Sequence, residues 1–294
     1  KDLYDHVPSA RKLFEEANEV LGYDLASICF NGPEEALKLT ENTQPALLVH
    51  STMALKILRE NGIDSVLVAG HSLGEFSALV SAGALQFKDA VRLVRLRGQF
   101  MQEAVPVGVG SMAAIIGLEI DTLQQLCDQI SEDSCIVQPA NLNSPVQIVI
   151  AGHKEAVEQV SEKALKAGAK KAVLLPVSAP FHSALMKPAE IKLQKELEQT
   201  EFYDLSYPVI TNIEAKPITK GSEARSALVK QVCSPVRWSE TMQVLVDQGI
   251  ETVIELGAGK VLSGLIKRFN RGIKCYQVGD RESLSQTLAA LNGN

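Results

Sequence analysis

The stretch Ser65-Val66-Leu67-Val68-Ala69-Gly70-His71-Ser72-Leu73-Gly74-Glu75-Phe76-Ser77-Ala78-Leu79 constrains the fold more than any other part of the chain. Val66 to Ala69 form a short apolar run of the kind that builds a buried parallel strand. Gly70-His71-Ser72-Leu73-Gly74 then matches G-x-S-x-G, and the residues after it have helical spacing. Strand, sharp turn and helix together make an elbow: the glycines permit the bend, and the serine Oγ stands out at the helix N-terminus. The N–H groups of the first helical turn can hold a developing oxyanion, which makes Ser72 a candidate acyl-forming nucleophile. The pattern alone recurs by chance in about one chain in ten of this length. The strand before it and the helix after it are what separate it from a plain tight turn.

With 294 residues, 46% of them hydrophobic, the chain can bury one large core and a second, smaller one. A net charge of -6 argues against a general nucleic-acid or anionic-membrane surface. Cys29, Cys127, Cys135, Cys233 and Cys275 are scattered, with no C-x-x-C and no Cys/His ligand spacing. No metal site is expected, and the cysteines read as reduced packing residues of a cytoplasmic protein. No apolar run reaches membrane-spanning length, and no signal-peptide pattern is present. Lys1-Asp2-Leu3 begins without a Met in a charged, helix-like segment, so the natural start is expected upstream.

Helical spacing marks residues 9–21, stopped by Gly22, then 34–39, and 46–60 with Pro45 at the helix start. A further helix is expected over 90–104. Its Arg92 and Arg95 share a side that suits pairing with carboxylates, while Arg97 points elsewhere, next to Gly98. From Gly110 the texture changes. Strand-like 111–118, helical 121–130, strand-like 135–140 and 146–151, helical 154–167 and strand-like 171–177 follow in order, with a turn at Asn143-Ser144-Pro145. That order, βαββαβ, is ferredoxin-like. The remainder alternates strands (209–211, 252–257, 274–278) with helices (189–199, 222–232, 239–248, from 261, and 283–291), which implies a mostly parallel sheet covered on both faces. The expected fold is α/β: a hydrolase-like parallel-sheet large domain, residues 1–109 and 178–294, with an inserted ferredoxin-like small domain, residues 110–177.

Two glycine motifs lack the context their chemistry needs. Gly108-Val109-Gly110-Ser111-Met112-Ala113 fits G-x-G-x-x-A but precedes a strand instead of opening a helix. Gly257-Ala258-Gly259-Lys260 resembles a phosphate loop without the leading spacing or the Ser/Thr. A serine nucleophile also needs a base within hydrogen-bond reach. His6 lies at the terminus, His50 within a helix, His71 beside the serine, and His153 at the start of an exposed-looking helix. His182 remains, on the loop Val177-Ser178-Ala179-Pro180-Phe181-His182-Ser183, C-terminal to Ser72 as hydrolases of this fold require. No acid falls at the usual place, so a dyad with a backbone carbonyl orienting the imidazole is expected. From the residues alone, acyl transfer and hydrolysis fit equally well.

Several ordered stretches together resemble the malonyl-CoA:acyl carrier protein transacylase family. They are Gly70 to Leu79, Val91-Arg92-Leu93-Val94-Arg95-Leu96-Arg97-Gly98, Phe181-His182, and Glu255-Leu256-Gly257-Ala258-Gly259-Lys260-Val261-Leu262. Gln44-Pro45-Ala46-Leu47, Asn141-Leu142-Asn143-Ser144-Pro145 and Ala151-Gly152-His153 add to the likeness, which runs end to end. The resemblance implies Ser72 as nucleophile, His182 as base, and Gln231 as the residue whose main-chain carbonyl orients it. It implies Arg97 as a bidentate holder of the malonyl carboxylate, a task suited to a planar guanidinium. Leu73 would supply an oxyanion N–H, Phe181 would disfavour an α-methyl group, and His71 would complete the substrate-binding set.

The reaction so implied is ping-pong transfer of malonyl from CoA to the phosphopantetheine thiol of acyl carrier protein. CoA thioester and phosphopantetheine act as substrates, no bound cofactor is expected, and the chain is expected to be monomeric. Residues 256–279 hold Lys260, Lys267, Arg268, Arg271 and Lys274 without an Asp or Glu, a candidate docking patch for an acidic carrier. The family also opens with a strand and a G-Q-G-S-Q loop that supplies a second oxyanion N–H. The sequence as printed lacks that segment, and loss of one such donor is expected to cost about 3 kcal/mol of transition-state stabilisation. The competing expectations are a serine esterase or thioesterase with the same dyad, and a non-catalytic module that only holds acyl-CoA or carrier protein.

Overall fold

The computed structural model describes residues 1–177 and 179–292; Ser178, at the expected domain boundary, lies outside the described residues. The N-terminal part is helical: α1 (Asp2–His6), α2 (Pro8–Leu21), α3 (Leu25–Asn31), α4 (Glu34–Lys38) and α5 (Thr40–Glu60). The elbow follows as β1 (Val68–Ala69) and α6 (Leu73–Ser81), then α7 (Phe87–Glu103). Next come β2 (Gly110–Ile116), α8 (Ile120–Ile130), β3 (Val137–Ser144), β4 (Gln147–His153), α9 (Lys154–Lys166) and β5 (Lys171–Leu174). The chain then returns through α10 (Lys187–Glu198), β6 (Val209–Ile210), β7 (Pro217–Ile218), α11 (Gly221–Gln231) and α12 (Trp238–Asp247). It closes with β8 (Thr252–Leu256), α13 (Val261–Phe269), β9 (Lys274–Val278) and α14 (Arg281–Asn292).

The inserted unit has the strand order β3-β4-β2-β5 with every neighbour antiparallel, as a ferredoxin-like βαββαβ chain requires. Its helices α8 and α9 cover one sheet face, burying Ile115, Leu123, Ile148, Ile150, Val157 and Val160 in a core of their own. On the other face Met112, Ala140, Val149 and Ala151 pack with Phe181 from the loop that carries His182. β3 runs on to Ser144, so the hairpin turn falls at Pro145-Val146 rather than at Asn143.

The large domain carries the expected parallel pairings, and they fall in two ladders. β1 pairs with β6 in parallel, β7 adds to β6 antiparallel, and β8 pairs with β9 as a separate parallel ladder. Side chains join the two pieces: Leu67, Ala69, Ile210, Trp238 and Val253 share one apolar cluster. Only the last two residues of the Val66–Ala69 run enter the ladder, because β6 offers only two partners, and Val66 is 76% exposed. The helical layer over the elbow is more regular. Phe76 and Leu79 of α6 are fully buried against Leu48, Val49 and Met53 of α5 and Leu93 and Val94 of α7.

The start of α5 is corrected as well. It begins at Thr40 and runs through Pro45, although proline denies the helix one N–H. The extra turn is held from outside, since Asn42 Nδ2 donates to the Ala36 carbonyl at 2.8 Å and Thr43 Oγ1 to that of Leu37. α3 has no strong periodic signal and is fixed by its cap, the Asp24 carboxylate accepting from the Ser27 N–H at 2.9 Å. Arg92 and Arg95 pair with Glu196 and Glu41, as their shared side suggests. Among the described residues no helix is long and apolar enough to cross a membrane.

α7 lies directly on the first turn of α5. A Cβ at Gly98 would sit 2.5 Å from Glu41 Cα and 2.8 Å from Glu41 N and the Thr40 carbonyl oxygen, all backbone atoms that cannot swing aside. Gly98→Ala is therefore expected to destabilise the fold by about 1–3 kcal/mol. Equilibrium urea unfolding should show a lower midpoint at an unchanged slope.

Candidate active site

Gly70 makes the elbow sterically feasible, since any Cβ there would overlap the Gly74 carbonyl group. The turn places Ser72 at φ 51° and ψ -105°, a conformation that non-glycine residues rarely adopt and that surrounding contacts must hold. Asn212, just past the C-terminal end of β6, provides those contacts. Its Oδ1 accepts from the Ser72 N–H at 2.6 Å and its Nδ2 donates to the Gly70 carbonyl at 2.7 Å. One amide thus braces both sides of the strained residue. Leu73 opens α6, so its N–H has no carbonyl one turn back to meet, and it lies beside Ser72 Oγ in sequence.

His182 also has a positive φ, 59°. Its Nδ1 lies 2.9 Å from the Gln231 carbonyl, which can only accept, so the proton sits on Nδ1 and Nε2 is left as an acceptor. Ser72 Oγ lies 2.7 Å from that Nε2 and donates to it. Burial, and then the nearby Arg97 charge, push His182 down to about 3, so the imidazole is neutral in ordinary buffers. Gln138 of β3 holds the loop at and just after the histidine: its Oε1 accepts from the Ala184 N–H at 3.0 Å, and its Nε2 points at the His182 carbonyl from 3.4 Å.

Arg97 is 2% exposed and lies on the inner side of α7. Its Nη2 donates to Ser72 Oγ and to Gln231 Oε1, each at 3.0 Å, and its Nη1 to Gln44 Oε1 at 2.7 Å. The guanidinium stacks over Phe76, 5.8 Å from the ring centroid. Burial pulls Arg97 down to about 10, which still leaves it cationic at neutral pH. All three acceptors are neutral, and among the described residues Nε has no partner. A buried cation in such surroundings favours an anionic ligand.

Gln231, at the end of α11, is fully buried and joins the parts of the site. Its carbonyl holds His182 and its Oε1 holds Arg97. Its Nε2 donates to Glu75 Oε2 at 2.7 Å and to the Ser72 carbonyl at 3.0 Å. Glu75 Oε2 also accepts from the Asn212 N–H at 3.0 Å. Burial raises Glu75 to about 7, against the pull of Gln231, Asn212 and Arg97.

The structure thus brings Ser72, His182, Gln231, Arg97 and Leu73 to one point. Phe181 is half-buried beside them, between the main core and the small sheet. His71 turns away from the dyad, with Nε2 2.9 Å from Asn143 Oδ1 and its ring 5.5 Å from that of Trp238. Lys260 and Lys267 lie on α13 and its cap, far along the chain from these contacts. Sequence reasoning passed over Gln44, Glu75, Asn212 and Gln138. A signal existed for two of them: Glu75 follows Ser72 by three residues on an otherwise apolar helix, and Asn212 follows a parallel strand end, where α/β sites gather.

This fold and this site belong to an acyl-transferring class of α/β protein. The family model for the acyl transferase domain matches residues 1–280, and the chain belongs to that family. It is 50% identical to the malonyl CoA-acyl carrier protein transacylase of Bacillus subtilis (strain 168), over 100% of this chain and 94% of that protein. It is 48% identical to the protein of the same name from Escherichia coli (strain K12), over 98% of this chain and 93% of that one. Among solved structures, an acyl carrier protein S-malonyltransferase from Vibrio cholerae superposes with a TM-score of 0.94 at 46% identity, covering 97% of this chain and 94% of that chain. A malonyl-transacylase in complex with a type II PKS acyl-carrier protein gives 0.95 at 46% identity, covering 100% and 94%.

The two perturbed groups carry opposite linkage. Between its ordinary 6.5 and about 3, His182 binds a proton only when unfolded, so its stabilising contribution is complete above pH 6.5 and is lost as pH falls. Between 4.5 and about 7, Glu75 binds a proton only when folded, so its contribution is present at low pH and lost as pH rises. The two slopes oppose each other where the windows overlap. His182→Gln is expected to leave a stability that falls as pH rises from 4.5 to 7, and Glu75→Gln one that falls as pH drops below 6.5. Urea midpoints across pH 4 to 8 would reveal either tilt.

Proposed function

We propose that this chain transfers a malonyl group from CoA to the phosphopantetheine thiol of an acyl carrier protein through an acyl-Ser72 intermediate. The buried Arg97, 3.0 Å from Ser72 Oγ, is the observation that carries the reading. It supplies a cation where the far end of a short acidic acyl group would lie, and an uncharged acyl group would leave it unpaired.

In the first half-reaction Ser72 Oγ attacks the thioester carbon while His182 Nε2 takes its proton. The Leu73 N–H faces the oxyanion of the tetrahedral intermediate. The intermediate collapses with breakage of the C–S bond, and the imidazolium returns the proton to the departing CoA thiolate. In the second half-reaction the carrier's thiol gives its proton to His182 and attacks the malonyl ester. Ser72 leaves and recovers that proton. The Gln231 carbonyl keeps Nδ1 protonated and stabilises the imidazolium in both halves, the part an aspartate plays in a triad. CoA thioester and phosphopantetheine enter as substrates, and each proton transfer uses only this chain's side chains. Half-buried Phe181 narrows the space beside the acyl group, which supports exclusion of an α-methyl branch. Partly buried His71, anchored by Asn143, shapes the cleft wall between the small unit and the elbow.

The rest of the reading concerns the chain as a whole. The separate core of residues 110–177 supports treating them as a domain set into residues 1–109 and 178–294. All five cysteines are free, which supports a reducing, cytoplasmic setting. Lys267 and Arg268 end α13 on exposed positions with Arg271 and Lys274 nearby, and that patch suits an acidic carrier.

Intact mass after brief incubation with malonyl-CoA is expected to show a malonyl adduct that Ser72→Ala abolishes. Release of free malonate faster than transfer would instead mark a hydrolase. Arg97→Ala is expected to slow malonyl loading by about 100-fold or more, the scale of leaving a buried carboxylate unpaired, and to spare acetyl loading. For the docking patch, reversing both charges (K267E/R268E) is expected to raise the carrier's KM about fivefold and leave loading by malonyl-CoA unchanged. Unaltered transfer would remove the patch from the reading.

A further inference from the structure

Glu75 takes no part in the steps above, yet among the described residues it is the only carboxylate that touches the residue joining the dyad to Arg97. It lies on α6 one turn after Ser72, fully buried. Its two oxygens have different surroundings. Oε2 accepts from Gln231 Nε2 at 2.7 Å and from the Asn212 N–H at 3.0 Å, while Oε1 has no partner among the described residues. Glu75 and Arg97 form no direct ion pair among the described residues; the path between them runs through the Gln231 amide.

An amide has an accepting end and a donating end, and only one of its two orientations suits this site. With Nε2 toward Glu75, Oε1 faces Arg97 Nη2 and accepts from it. Turned over, the amide would set its NH₂ against a guanidinium and its oxygen against the Glu75 and Ser72 oxygens, leaving buried groups unsatisfied at every contact. Glu75 provides the shortest of the acceptors that Nε2 meets: 2.7 Å, against 3.0 Å for the Ser72 carbonyl and 3.4 Å for Asn212 Oδ1. The same oxygen anchors the Asn212 main chain, and the Asn212 side chain braces the elbow.

We propose that Glu75 is a positioning residue for acyl selection: its Oε2 fixes the orientation of the Gln231 amide, and through it the aim of Arg97 at the acyl carboxylate. This rests on the role given to Arg97 above. What Glu75 supplies is an acceptor at a set distance from α6, and its charge is incidental. A proton on the unpartnered Oε1 would leave Oε2 free to accept as before. Glutamine, equal in length, keeps such an acceptor. Aspartate keeps the charge and draws the acceptor back by one carbon. Were Glu75 the counter-ion of Arg97, the order of the two variants would be reversed.

The experiment compares single-turnover loading of Ser72 by malonyl-CoA and by acetyl-CoA, read by intact mass, in wild type, Glu75→Gln, Glu75→Asp and Glu75→Met. The quantity read is the malonyl-to-acetyl rate ratio, which a partly misfolded sample does not change because both rates scale with the same active fraction. Glu75→Gln is expected to keep the wild-type ratio within about twofold, and Glu75→Asp and Glu75→Met to lower it about fivefold or more, as small displacements of a positioning group do. The Gln and Asp variants decide the matter even if the Met variant does not fold. A ratio lost in Glu75→Gln, or kept in Glu75→Asp, would overturn the proposal. Failure of wild type to form a malonyl adduct would instead overturn the function on which it rests.

Discussion

A guanidinium removed from water is the interaction on which the rest of the site depends. Placing Arg97 inside the helical layer is costly, and neutral oxygens meet the cost only in part: two glutamine carbonyls and the Ser72 hydroxyl. The site is therefore built before substrate arrives but is electrostatically incomplete. Its attraction for a short acid is the unsatisfied remainder of that burial. Burial, and then the same positive field, keep His182 neutral, so the buried cation also leaves the imidazole able to accept a proton.

The polar core is held together by groups that each serve two neighbours. Asn212 braces the elbow with its side chain and meets Glu75 with its backbone. Gln231 orients the imidazole with its carbonyl and the guanidinium with its amide. Such sharing lets two non-glycine residues, Ser72 and His182, hold left-handed backbones at the same point. Neither conformation would persist in an isolated turn, since each depends on contacts from distant segments.

What the sequence disclosed follows the reach of the interactions involved. The elbow was legible because its requirements are local: an apolar run, a glycine where any Cβ would overlap Gly74, and helical spacing afterwards. The inserted unit was legible for the same reason, its alternation of strands and helices being written in order. The division of the parallel strands into two ladders was not, because pairing between residues far apart leaves no mark in local pattern. Pro45 misled because a proline inside a helix is tolerated only where Asn42 and Thr43 anchor the turn before it, and those are tertiary contacts. Gln44, Glu75 and Asn212 read as ordinary polar residues until the fold buries them together. Helical spacing marked Arg97 only as the arginine off its neighbours' side; the family resemblance gave it a site role, and the packing of α7 beside α6 brings it to Ser72 Oγ.

The Gln138 strap changes how the inserted unit is to be regarded. Its side chain grips the backbone at His182 and two residues beyond it, from a strand whose other sheet face already packs with Phe181. A residue already in the left-handed region has few neighbouring conformations, so the His182 backbone has little room to yield to the sheet that holds it. The insert therefore braces the segment that carries His182. The insert reaches that loop through one side chain and the loop's own backbone, so the placement of the imidazole follows the placement of the small sheet.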